Sequence, residues 1–295
     1  MNILDQIEKG NQNLANIEQK LFDVVQLPLF TNIEGFNQPE TFATYKHTGG
    51  NALGVVGNQF EATQPKIVFE SLVTGIREHL PEIDFNTFKY LELKGSSKIQ
   101  FSFLLKEFDI LNGKKKVDSH QIEARFQTGF DGRTKNTFFI NTHRLICENG
   151  MKVGISEFST SFKNTKGNIG KITSLANDFK LIQQNGEKTE QFLIAASSKN
   201  ISQKHIDDCL NLLLGIKDRS EISTRKTNIL DSINESISLE IGRTGANMLG
   251  LLNGITHYTN HSVKKSEIDR LDYIYSDSGE SLNNKAFEFV FANLN

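Results

Sequence analysis

The chain predicts an α+β fold, an antiparallel β-meander packed with helices and followed by a helical C-terminal half. Three observations carry this expectation. Apolar residues alternate with period two at Ile99, Phe101, Phe103 and Leu105, again at Ile122, Ala124 and Phe126, and again through Lys135 to Cys147, as strands with an apolar face require. From Lys171 onward the apolar period becomes helical. No internal repeat or low-complexity linker divides the 295 residues, so the expected organisation is an N-terminal helix over 1–30 and one α+β domain over 45–295, sheet-rich over 45–160 and helix-rich over 165–295.

Taken in order, Leu4, Ile7, Leu14, Ile17, Leu21 and Val24 form the stripe of an amphipathic helix over residues 3–25, which must stop before Pro28. All four prolines fall in the first 81 residues, so 28–65 reads as loops with short strands. Tyr45 to Gln64 holds glycines at 49, 50, 54 and 57. It lacks both a following Lys-Ser/Thr and a G-x-G-x-x-G spacing, so a strand with turns is favoured over a phosphate cradle. Ile67, Val68, Leu72, Ile76 and Leu80 predict a helix ending at Pro81.

In the strand at 99–105 the face opposite the apolar one is expected to meet solvent or a partner. A basic loop at 113–116 leads to a second strand, and Asp131-Gly132 is a hairpin signal before a third that ends near Asn149-Gly150. Helices are expected over Lys171–Gln183, over Ser202–Ile216, and over Arg225–Val263, where Gly242 to Gly245 kink the last or permit close packing. Asp277 to Gly279 reads as a turn before a closing helix over Leu282–Leu294.

Hydrophobic content of 37%, charged content of 23% and a formal net charge of −2 describe an ordinary soluble chain and exclude a uniformly basic coat. Two cysteines, Cys147 and Cys209, are too few for a disulfide scaffold. No signal-peptide pattern and no long apolar run is present, so a cytoplasmic protein with no membrane partner is expected.

The charges are unevenly distributed. Residues 113–171 carry eleven basic side chains against five acidic ones, a local net of +6. Within that segment Lys114, Lys115, Lys116, Arg125, Arg133, Lys135 and Arg144 are candidate phosphate contacts, with Phe130, Phe138 and Phe139 close enough in sequence to offer base-stacking surface. Single-stranded DNA is the ligand this combination suggests, and Phe130 and Phe139 are the stacking residues of choice. The alternative is that the phenylalanines are core and the charges a solvated face.

His257 and His261 share a helical face with Asn253, but the H-E-x-x-H glutamate and a third ligand are missing, so a polar helix face is favoured over a metal site. His143 beside Arg144 has no recognisable nucleophile to serve. No cofactor is expected, and binding is favoured over catalysis.

The passages VVGNQFEATQ (55–64), TGFDGRTKNTFFINTHRLICENGM (128–151), NMLGLLNGITHYTNH (247–261) and SLNNKAFEFVFANL (281–294) resemble, in the same order, those of the phage- and plasmid-like domain-of-unknown-function family 932. The chain departs from the family pattern at FKNTKGN (162–168), where members usually carry a His-Thr pair. The resemblance implies an origin in phages, prophages or conjugative plasmids and supplies no settled activity. Two functions follow as expectations. One is a nucleic-acid-binding protein, single-stranded DNA favoured, acting in recombination or replication. By fold-level analogy with phage annealing proteins it would also self-associate. The other is a protein-binding effector that counters a host defence.

Overall fold

The computed structural model describes residues 3–29, 40–112, 115–144, 149–152, 159–168, 171, 176–218, 222–262, 273–274 and 278–294. The fold is α+β with a helical C-terminal half. A three-stranded antiparallel sheet has the order β1 (Val24–Pro28), β2 (Thr41–Lys46), β3 (Gly54–Gly57). A six-stranded sheet runs β4 (Lys89–Leu93), β5 (Lys98–Asn112), β6 (Lys115–Gly129), β7 (Asn136–Arg144), β8 (Asn149–Lys152), and β9 (Ser159–Phe162) also pairs with β7. The expected three-stranded meander is the middle of this larger sheet. Asn149-Gly150 begins β8 rather than ending the third strand.

By its contacts the chain forms two compact units, one of Met1–Leu104, Ala124–Phe139 and Ser159–Gln183, the other of Leu105–Glu123, Ile140–Phe158 and Gln184–Asn295. The units interleave along the sequence, because β5, β6, β7 and α3 (Ala176–Ser198) each contribute a stretch to both.

In the first unit α1 spans Ile3–Glu18, shorter than the expected helix. Val24 and Val25 are β-branched and favour the extended β1, whose edge position tolerates Pro28. The Gln64 amide bonds both backbone groups of Val24, accepting from its N–H at 2.9 Å and donating to its carbonyl at 3.0 Å. Helix α2 (Pro65–His79) starts on the proline and buries Val68, Phe69, Leu72 and Ile76. Its face meets a phenylalanine core in which Phe88 stacks on Phe103 at 6.2 Å and Phe138 meets Phe179 edge-on at 5.5 Å. Each fully buried ring contributes about 2–3 kcal/mol of apolar burial.

The polar face of the meander strands, expected to meet solvent or a partner, is buried within the protein: Gln100 donates to Gln127 at 2.7 Å and accepts from Arg125 at 3.2 Å. Hydrogen bonds between side chains make that burial tolerable.

In the second unit α4 (Gln203–Leu214) runs from a Ser202 cap to a left-handed Gly215. The long helix expected over 225–263 is broken. Helix α5 (Thr224–Thr244) ends at Gly245, φ 102°, and Asn247 caps α6 (Met248–His257) by accepting from the Gly250 N–H. Gly254 lets α6 approach α5 closely, since a Cβ there would meet the Ile237 backbone nitrogen at 2.8 Å. Helix α7 (Ser278–Leu294) buries Phe287 against Phe192 at 4.3 Å; Ser278 and Gly279 belong to it, and Asp277 lies outside the described residues. Among the described residues no helix is long and apolar enough to cross a membrane.

Candidate anion-binding groove

The β6–β7 connection is longer than a two-residue hairpin turn, spanning 130–135. Asp131 organises it: its carboxylate accepts from the Arg133 N–H at 2.9 Å, the Thr134 N–H at 2.7 Å and the Thr134 hydroxyl at 2.9 Å. Gly132 supplies the left-handed φ of 72° that the turn needs. Burial raises the Asp131 carboxyl, but the hydrogen bonds from Thr134 and Arg133 outweigh it, with Lys98 adding attraction, so it titrates below the ordinary aspartate value. Its charge is therefore committed to the turn.

The turn is locked by a buried amide. Asn164 donates to the carbonyls of Gly129 at 3.0 Å and Thr134 at 3.1 Å, pinning both ends of the connection. Its Oδ1 accepts from the Thr63 hydroxyl at 2.7 Å and the Asn136 amide at 2.6 Å. Asn136 also donates to Thr63 Oγ1 at 3.0 Å. Around this lock the segment after β3 meets the segment after β9: Phe60 bridges Thr165, and Lys166 N–H donates to the Gln59 carbonyl at 3.3 Å.

These three segments enclose a groove of about 400 Å³ within the first unit. Residues 57–60, 132–135 and 163–165 line it, with 59–61 hydrogen-bonded directly to 164–166. Arg133, Lys135 and Lys163 are exposed, and none of the lining residues is acidic. Among the described residues none of the three cations is in an ion pair. The three cations outnumber the one carboxylate of the turn, Asp131, which is occupied by the N–H groups of Arg133 and Thr134, so the net field favours an anion.

Of the residues the sequence suggested, the groove collects Arg133 and Lys135. Phe130 and Phe139 are 0% exposed, which corrects their expected role: a core ring has no free face to stack on a base. Arg125 is also buried, with its guanidinium on Gln100, so it is not a phosphate contact. Lys116 lies in the other unit, paired with Asp109 at 2.8 Å. Lys114, like Cys147, lies outside the described residues, and Lys115, His143 and Arg144 are described in their backbone alone. Lys163, Asn164, Asn58 and Gln59 were not singled out by the sequence. The nearest signal was the FKNTKGN segment (162–168), noted only as a departure from the family pattern.

No family model, curated protein or solved structure matches the chain. Elsewhere, the rings of His257 and His261 approach to 4.9 Å, as their spacing implies, with His257 Nδ1 3.4 Å from the Ser236 hydroxyl. Asn253 is committed instead to buried Asp118, donating at 3.1 Å, and Asp118 also contacts His120 Nε2 at 3.2 Å. No group of three or more His, Cys, Asp or Glu able to hold a metal occurs among the described residues. Burial pushes the Cys209 thiol up to about 12, so it is not an activated nucleophile.

Proposed function

We propose that the protein binds nucleic acid, single-stranded DNA in preference, by seating the phosphate backbone in the groove between residues 57–60 and 132–135. The observation that carries this is the convergence of Arg133, Lys135 and Lys163 on one acid-free groove. A volume of about 400 Å³ suits a flexible strand entering one or two units at a time better than the flank of a duplex. Mobile-element recombination or replication, where single strands are exposed, is the setting this binding would serve. Fluorescence anisotropy with a labelled oligonucleotide tests it. Binding that weakens with salt and is lost in Arg133→Ala plus Lys163→Ala is expected. Absence of binding at low salt contradicts it.

A second reading, a protein-binding effector, draws on the three-stranded sheet. Leu27, Ala43 and Val55 lie in one cross-strand row, with Leu27 and Val55 both more than half exposed. A host protein retained by the native chain and released by Leu27→Glu plus Val55→Glu would favour it.

A further inference from the structure

We infer that the groove reads a nucleobase as well as a phosphate, so that its ligand class is nucleic acid with unpaired bases rather than polyanions in general. This deepens the proposed function and rests on it. The lining combines two chemistries: the cations come from 132–135 and 163–165, and the segment 57–60 carries no charge and adds Asn58 and Gln59. Both amides are exposed, and neither has a partner among the described residues.

A side-chain amide offers a donor and an acceptor on one planar edge, which matches the edge of a base, whereas a bare phosphate can use only the donor. Stacking is not the device here, because Phe60, the aromatic residue of the lining, is 9% exposed. Recognition is by the edge, and in a duplex the Watson–Crick edges are already paired. Beside Gly57 there is open space, since a Cβ added there meets nothing within 4 Å. A phosphate against Arg133, Lys135 and Lys163 with its base on Asn58 and Gln59 places one nucleotide unit in the groove.

The test is competition against a labelled mixed-sequence single strand, measured by anisotropy. The competitors are an unlabelled copy, an abasic strand of equal length, inorganic polyphosphate of equal charge, and the duplex. The three competitors without free base edges are expected to bind about tenfold more weakly than the unlabelled copy, the effect of one good amide–base pair. Asn58→Ala plus Gln59→Ala should drop the wild-type strand to the abasic level and leave the salt dependence unchanged. Gly57→Leu, which adds a bulky side chain to the groove lining, should weaken every ligand, while Lys204→Ala on α4 should weaken none.

Equal competition by abasic strand and polyphosphate, or full affinity in the amide double variant, overturns the inference and leaves phosphate binding standing. Full affinity in Gly57→Leu places the ligand elsewhere and overturns it as well. If no ligand binds at low salt, the proposed function itself fails.

Discussion

Replacing Asn164 should unlock the groove. The Asn164→Ala variant removes both donors to the Gly129 and Thr134 carbonyls and the acceptor for the Thr63 hydroxyl. Asn136 keeps its bond to Thr63, and the Thr134 interaction is only part-buried, so water replaces some of what is lost. Two buried groups remain unsatisfied at roughly 1–3 kcal/mol each, giving an expected loss of about 3 kcal/mol. That corresponds to roughly 6 °C or more in the melting of the first unit. Urea unfolding followed by far-ultraviolet circular dichroism reads the energy, and calorimetry shows whether one transition moves or two. Asn164→Asp keeps the acceptor but turns both donors into an oxygen facing two carbonyls, so it should be no more stable than the alanine variant. An alanine variant within about 0.5 kcal/mol of the wild type, or an aspartate variant more stable than it, would refute the lock.

Other outcomes follow from the same neighbourhood and from the second unit. The Asp131 carboxyl is held below its ordinary value, so its stabilisation is present above roughly pH 3.9 and is lost as the pH falls through the lower folded value; Asp131→Ala should cost about 1 kcal/mol at pH 7 and show a flatter loss of stability below pH 4 in thermal melts. Gly54→Ala should destabilise by roughly 1–3 kcal/mol in urea titration, because its Cβ would meet the Asp131 Cα and the Phe130 carbonyl oxygen, the latter at 2.7 Å, whereas Gly57→Ala should fall within about 0.5 kcal/mol of the wild type. In a Cys147→Ser background, Cys209, its thiol raised to about 12 by burial, should resist iodoacetamide at pH 8 in the native state and react once urea unfolds the chain, as mass spectrometry would show.

The elements with local punctuation were legible in the sequence. Pro81 lies just past α2 and Ser202 caps α4; such signals act within a turn of the residues they bound. Val24–Pro28 was misplaced because a helical stripe and a short β-branched strand both place apolar residues at those positions, and the deciding partner, Gln64, lies 40 residues away. The alternation in β5 and β6 gave strands but not the fate of their polar face, since Gln100 and Gln127 are compatible with water or with each other.

The site shows the same limit. Arg133 and Lys135 stand beside a turn signal and were legible. The rest of the lining and the lock were not, because Thr63 and Asn164 are 101 positions apart. Phe130 and Phe139 could be stacking platforms or core by type alone, and only the fold decides between them.

The most direct test of phosphate seating is the salt dependence of single-strand binding. Three phosphate contacts from Arg133, Lys135 and Lys163 predict a slope of about −2 for log affinity against log salt, and each alanine substitution should reduce its magnitude by about 0.7. A slope near zero in the wild type, or an unchanged slope in the triple alanine variant, would contradict the groove as the nucleic-acid site.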